Sequence, residues 1–419
     1  MSAELRPGYK NTDVGVMPQD WDVKTITEIC DFIVPGRNKP KSFDGDIPWI
    51  TTPDLTTGQG IECSRLGLKI SLLEAKDIGS KIVPAGSVLM SCVGELGIVA
   101  LAECDLVINQ QLHAFIPSKR ISSKFLLQVL ATRQQYLYGI ATKTTLPYLN
   151  KENCNSIKIQ LPSLDEQQSI ALALSDIDAL IRSLDQLIVK KRDIQQAAMQ
   201  QLLTGQCRLP GFSGEWEVKR LGNHLSFLRN GTNSRAELST EGDVHYLHYG
   251  DIHSSEHLLL NPTKTSMPCL PRYKAKRLDR LDNGDLVFAD ASEDLDGVGK
   301  SVELQLPEGV ELVAGLHTIA VRFHKKVITD GFKAYLQFIP TFRSHLRQLA
   351  AGTKVYATSR AHIASAELQI PGIEEQAAIA TILSDMDAEL AALEARREKA
   401  RQLKQGMMPE LLTGRIRLT

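Results

Sequence analysis

The sequence predicts an α+β chain of two similar mixed α/β domains, each followed by a long helix, with the two helices pairing inside the chain. Three observations predict it. A 48-residue segment beginning at Pro162 recurs from Pro371, an offset of 209 residues, with 21 identities and no gap. Each copy places apolar residues at alternating intervals of four and three, the spacing of a coiled-coil seam. The stretches outside the copies carry short strand-like runs and turn signals that echo one another. The boundaries read as domains at 1–161 and 206–370, with helices at 162–205 and 371–415.

The first domain opens with Trp21-Asp22-Val23-Lys24, which returns as Trp216-Glu217-Val218-Lys219 in the second. Gly45 to Ile50 is answered by Gly242 to Leu247, Gly86 to Ser91 by Gly284 to Ala289, and Leu112-His113 by Leu316-His317. The offsets drift, so the domains are diverged copies with loop insertions. Helical patches fall at 124–138 and 332–349.

In the first long helix the seam is Ile170, Leu174, Ile177, Ile181 and Leu184; in the second it is Ile379, Leu383, Met386, Leu390 and Leu393. Lys191 and Arg397 interrupt it. Asp165 and Glu374 belong to acidic first turns, which suit a helix N-terminus, and Gly205 and Gly414 end each copy. From Asp165 to Leu203 the helix is about 58 Å long at 1.5 Å per residue. A stripe of that length outruns one domain, and its matched copy makes the natural partner.

Composition bounds the function. The chain has 419 residues, 48 basic and 49 acidic side chains, and 43% hydrophobic residues. That excludes wholesale disorder, and the net charge of -1 gives no overall footprint for nucleic acid or membrane. No apolar run is long enough to span a bilayer, and the first ten residues are not a secretory leader. Seven scattered cysteines without a C-x-x-C pair suit reduced thiols in the cytoplasm.

The search for catalytic chemistry returns nothing. Gly297-Val298-Gly299-Lys300-Ser301 resembles the end of a phosphate loop, but Asp294 stands where its first glycine belongs, so a surface turn is expected. His245, His248, His253 and His257 lie close together without a zinc-like spacing and read as exposed or hydrogen-bonded histidines. Cys92 and Cys104 read as buried thiols. No metal, no bound cofactor and no catalytic residue are expected.

Polar and basic loops are the remaining candidates. Arg37, Lys39 and Lys41, then Thr142, Lys143 and Thr144, mark the first half; Lys274, Lys276, Arg277 and Arg280, then Lys354, Tyr356, Thr358 and Arg360, mark the second. Lysines there would hold phosphates, whereas arginines and amides read base edges. Two similar domains at fixed separation match a duplex with two unlike half-sites. A two-domain adaptor that grips proteins rather than DNA is the alternative, favoured by the neutral charge.

Leu161-Pro162 and Ile370-Pro371 lead into Asp165-Glu166-Gln167 and Glu374-Glu375-Gln376, and each opens a helix ending in Leu-Leu-Thr-Gly. Upstream lie Ile47-Pro48-Trp49-Ile50 with Asp54-Leu55, then Ile108-Asn109-Gln110, then Gly139 through Leu146. In these pieces and their order the whole chain resembles the specificity subunit of a type I restriction-modification system. The resemblance implies two target recognition domains related by a pseudo-two-fold, each reading half of an asymmetric bipartite target in double-stranded DNA. It implies long helices that pack antiparallel as an intramolecular coiled coil, set the half-site spacing and dock two modification (methyltransferase) subunits. S-adenosylmethionine, ATP and Mg would reside in those and in the restriction subunits. The second domain departs from the pattern: Ala314-Gly315-Leu316-His317 replaces the Asn-Gln strand, and Ser292 to Gly299 forms an acidic loop.

Overall fold

The computed structural model describes residues 6–36, 38–142, 145–350, 352 and 355–418. The chain divides into two compact units, one of Met1–Asp185 with Arg396–Thr419 and one of Gln186–Ala395. The division falls inside both long helices, Leu164–Leu202 and Ile373–Leu412, so each unit owns one α/β domain and one portion of each helix. The chain is thus two mixed α/β domains linked by long helices.

In the first unit a five-stranded sheet runs Cys30–Ile33, Leu112–Pro117, Val88–Ser91, Val99–Ala102, Gln59–Ile61. All its pairings are antiparallel except the last. Its central strand, Val88–Ser91, is buried at every residue, so both faces need cover. One face meets helix Ser123–Ala131 through Phe125, Leu126 and Val129, and Ile170 and Leu174 of the long helix extend that core. The other face packs Leu89, Ala100 and Ala114 on Ile50 and Ile108 of a three-stranded sheet ordered Val107–Ile108, Ile47–Ile50, Lys69–Ile70. Lys158–Leu161 pairs antiparallel with Asp22–Thr25 at the root of the long helix.

The second unit repeats this order strand for strand: Leu225–Phe227, Thr318–Phe323, Leu286–Ala289, Ser301–Leu304, Leu259–Leu260, again with the last pair parallel. Its small sheet runs Cys269–Leu270, Val244–Leu247, Leu312–Ala314, and Glu217–Arg220 pairs with Glu367–Ile370. The backbone bonds correct one sequence echo. Asp290 N–H donates to His317 O as Cys92 N–H donates to Gln111 O, so His317 corresponds to Gln111 and not to His113. Adjacent Leu-His pairs mislead because inserted loops shift the register by two.

Within each unit the helix portions run in opposite senses. Asp178 meets Lys404 at 2.7 Å and Asp185 meets Arg397 at 3.2 Å in the first. In the second, Lys191 meets Glu389 at 2.7 Å and Gln195 Nε2 donates to Asp387 at 2.6 Å. The charges that interrupt the apolar seam, Lys191 and Arg397, are therefore matched by carboxylates. Ile170, Leu174, Leu184, Ile379, Leu383 and Leu390 are buried; Ile177, Ile181, Met386 and Leu393 are half-buried. No helix among the described residues is long and apolar enough to cross a membrane.

Candidate nucleic-acid interface

Each domain is anchored to its helix start by one repeated arrangement. Glu166, in the acidic first turn, is buried; it accepts the Trp21 indole N–H at 3.0 Å and two bonds from Arg417, at 2.6 and 2.9 Å. In the second unit Glu375 accepts Trp216 at 3.2 Å and Arg208 twice at 2.7 Å. Each guanidinium also lies over its tryptophan, 5.7 and 5.6 Å from the ring centre. The next residue locks the entry loop. Gln167 Nε2 donates to Pro162 and Arg120 carbonyls while its Oε1 accepts Ser122 N–H; Gln376 makes the same three bonds with Pro371, Val327 and Thr329.

The glycines of Leu-Leu-Thr-Gly belong to this anchor. Gly205 and Gly414 both have φ +71°, in the left-handed region. A Cβ at Gly205 would stand 3.4 Å from the Trp216 ring, and one at Gly414 would stand 2.5 Å from Pro18 and 3.1 Å from Trp21. At Gly414 both the backbone and the space call for glycine; at Gly205 the left-handed backbone does, the 3.4 Å contact being an ordinary one. The sequence marked these motifs as helix signals; their side-chain partners lie far away in the chain, so the spacing carried no sign of the contact.

Lys39 and Lys41 are exposed, and Lys41 N–H is held by Glu74. Thr142 N–H donates to Tyr148 O at 2.9 Å, and Tyr148 is part exposed. Arg37, Lys143, Thr144 and Lys354 lie outside the described residues. In the second unit Lys274, Lys276 and Arg277 sit exposed on one helical turn, Lys274–Arg277, beside the exposed ring of Tyr273. Arg272 and Arg280 flank that turn, both bound to Glu311, at 2.6 and 2.9 Å. Arg280 is thus held by the fold while its neighbours are presented.

The other cluster of that unit is more committed to the protein itself. Tyr356 is half-buried and pairs with Ser292; Thr358 is buried and its N–H donates to Asp290 O at 2.7 Å. The Arg360 guanidinium donates to Leu228 O at 2.9 Å and Asn230 Oδ1 at 3.2 Å and lies over Phe227.

Sequence reasoning missed a second polar position, at the end of the small sheet's central pairing. In the first unit Gln111 Oε1 accepts from Thr52 Oγ1 at 3.3 Å and Asn109 Nδ2 at 3.2 Å, and Gln110 and Gln111 are exposed. In the second, His317 takes the place of Gln111, with its Nδ1 3.1 Å from Asp290 Oδ1 and its ring edge-on to Tyr249. His317 is the one non-glycine among the described residues with positive φ, +56°. Such backbone strain concentrates at functional sites.

The histidine group is dispersed among local bonds. His248 caps the helix Tyr249–Ser254 and sits below its ordinary pKa because burial disfavours the cation; His253 Nε2 pairs with Ala291 O at 2.8 Å. The phosphate-loop look-alike is structural, with Lys300 donating to His253 O at 2.7 Å. Cys104 corrects the sequence reading: it is only half-buried, donating to Glu62 O at 3.2 Å. Cys92 is buried as expected, but against Cys154 and His113, a grouping the sequence did not suggest. Burial holds the Cys92 thiol above its ordinary range, while its bond to Cys154 draws the latter's pKa down to about 6.

Residues 18–190 match the type I restriction modification DNA specificity domain. The type I restriction enzyme MjaIX specificity subunit of Methanocaldococcus jannaschii is 32% identical over 250 residues, 54% of this chain and about half (56%) of that relative's length. The putative MjaX specificity subunit of the same organism is 23% identical across 98% of this chain and 97% of its own. In fold, the chain is similar to the type I restriction-modification S subunit from M. genitalium, with a TM-score of 0.62, 13% identity and 97% of each chain covered. Residues 18–190 thus carry the family's DNA specificity domain, and over its whole length the chain is similar to specificity subunits of type I restriction-modification systems.

Proposed function

We propose that this chain reads an asymmetric, bipartite sequence in double-stranded DNA, one half-site per domain. The observation that carries the reading is the repetition of one strand order and one Glu-Trp-Arg anchor around different surface residues. A shared scaffold with unlike surfaces suits two unlike half-sites. As a specificity subunit the chain is non-catalytic. The domains at 1–161 and 206–370 carry recognition, while the helices at 162–205 and 371–415 form an intramolecular coiled coil that sets the half-site spacing and docks modification subunits around a pseudo-two-fold.

Contacts divide by chemistry. Lys39, Lys41, Lys274, Lys276 and Arg277 hold phosphates, which supply affinity without sequence information. Asn109, Gln111 and Thr52 in one domain, and His317 with Asp290 in the other, offer paired donors and acceptors for base edges. Thr142, Tyr356, Thr358 and Arg360 support the loops beside them; Arg37, Lys143, Thr144 and Lys354 extend the basic clusters in sequence.

The test is a domain exchange. Residues 206–370 are replaced by the matching domain of a relative, and the complex with its modification subunits is assayed for methylated sites by sequencing. Half of the target should change and half persist. Unchanged specificity sinks the reading, and so does assembly with no salt-dependent DNA binding, the outcome expected of a protein-gripping adaptor.

A further inference from the structure

Three metal-binding side chains converge in the core of the first unit, beneath the main chain of Gln111. Cys92 follows strand Val88–Ser91, His113 lies on Leu112–Pro117, and Cys154 sits on the short helix Lys151–Asn155. The two sulfurs are 3.9 Å apart, His113 Nδ1 is 3.4 Å from the Cys154 sulfur, and all three ligand atoms lie within 4.8 Å of one another. Both thiols are fully buried and His113 is 7% exposed. Around a tetrahedral zinc ion, bonds of about 2.3 Å to sulfur and 2.0 Å to nitrogen put neighbouring ligand atoms roughly 3.4–3.8 Å apart. The 3.4 Å separation falls in that range, and the 3.9 Å one lies just above it.

The fold itself does not require this trio. Leu149 N–H donates to Cys92 O as Thr358 N–H donates to Asp290 O, and Asn150 and Ser359 cap the corresponding short helices. These correspondences place Asp290, Ile319 and Ile363 of the second unit where the first has Cys92, His113 and Cys154. Apolar isoleucines suffice at two of the positions. The first unit instead buries three polar or ionisable groups against one another, an arrangement that needs a reason beyond packing.

We propose that Cys92, His113 and Cys154 form a structural zinc site. Zn²⁺ would displace both thiol protons, so two protons leave as the ion enters and two thiolates cancel its charge. A net-neutral complex is the form a buried site tolerates best. Neutral His113 would bind through Nδ1. Met90 O, 3.4 Å from the Cys92 sulfur, offers a main-chain oxygen for the fourth position. A disulfide is the poorer account: the sulfurs would have to close to about 2.05 Å, leaving His113 without a role. The ion would tie helix Lys151–Asn155 to the central sheet. The site does not rest on the DNA-recognition reading.

The test uses the full-length chain, purified under reducing conditions, stripped with a chelator and titrated with Zn²⁺ and, as a spectroscopic probe, Co²⁺. One equivalent of either ion should bind. The Co²⁺ form should show thiolate-to-metal charge transfer and the intense visible bands of tetrahedral coordination. Cys154→Ser should lose both signals and Cys104→Ser should keep them. Cys154→Ile, which installs the second unit's residue, provides a variant expected to fold without binding. Hydrogen exchange at the amides of helix Lys151–Asn155 should slow several-fold with Zn²⁺ in the native chain and not in Cys154→Ile. The proposal is overturned by failure to bind an equivalent, by Co²⁺ spectra that persist in Cys154→Ile, or by a Cys92–Cys154 disulfide in the reduced preparation.

Discussion

Arg417 reaches back across 251 residues to close a two-pronged ion pair on Glu166, so the last residues of the chain complete the first domain. Glu166 is nearly inaccessible, whereas Arg417 is part exposed. The carboxylate therefore depends on the guanidinium far more than the reverse. Arg417→Ala should destabilise the first unit by about 1–3 kcal/mol, reduced from the fully buried case because water reaches the vacated side. Arg417→Lys should recover only part, since an ammonium cannot make both bonds. Urea unfolding followed by tryptophan fluorescence measures this, and equal stability of all three proteins would show that the anchor is incidental. Arg208→Ala should act in the same direction on the second unit.

The opposed sense of the helix portions makes a separate prediction. Asp178 and Lys404 pair at 2.7 Å with side chains only 16% and 19% exposed. Asp178→Lys should destabilise the chain by about 1–2 kcal/mol, and Asp178→Lys with Lys404→Asp should restore most of it. A double-mutant cycle with no coupling would contradict the pairing.

For DNA, two classes of substitution should separate. If Lys274, Lys276 and Arg277 hold phosphates as proposed, replacing them by alanine should make the slope of log affinity against log salt shallower by about 0.9 for each lost contact. Sequence preference should stay as it was. Asn109→Ala with Gln111→Ala should leave the slope unchanged and relax preference at one half-site, each good contact being worth about 1–3 kcal/mol of discrimination. If the lysine variant changes the target, or the amide variant the slope, the assignment of roles is reversed.

The long helices were legible because their signals are local: the apolar interval, the acidic first turn and the closing glycine all lie within one segment. The repeat then supplied the partner. What remained hidden depends on contacts distant in sequence. Trp21 and Glu166 are 145 residues apart, and Cys92 and Cys154 are 62 apart, so neither pair forms a spaced motif. His317 was misassigned for a related reason. Strand register is set by backbone pairing, and inserted loops move similar dipeptides out of step with it.

Glu303 gives the chain a pH dependence of defined sign. It lies on the buried strand Ser301–Leu304, accepts Gly331 N–H at 2.6 Å and Ala334 N–H at 2.9 Å, and is only 2% exposed. Burial raises its pKa to about 7, the two amides and Lys333 opposing the rise without cancelling it. A carboxyl that holds its proton more tightly when folded stabilises the fold fully below its unfolded value near 4.5. That contribution is lost as pH rises through 7. The shift corresponds to roughly 3 kcal/mol at one pH unit per 1.36 kcal/mol, most of it between pH 5 and 8. Glu303→Gln cannot ionise, although its amide leaves one of the two N–H groups poorly matched. The variant should therefore be less stable than the native chain at pH 5 and gain on it steadily toward pH 8. Thermal unfolding of both proteins across that range decides the matter: parallel curves would show that Glu303 does not titrate in the fold.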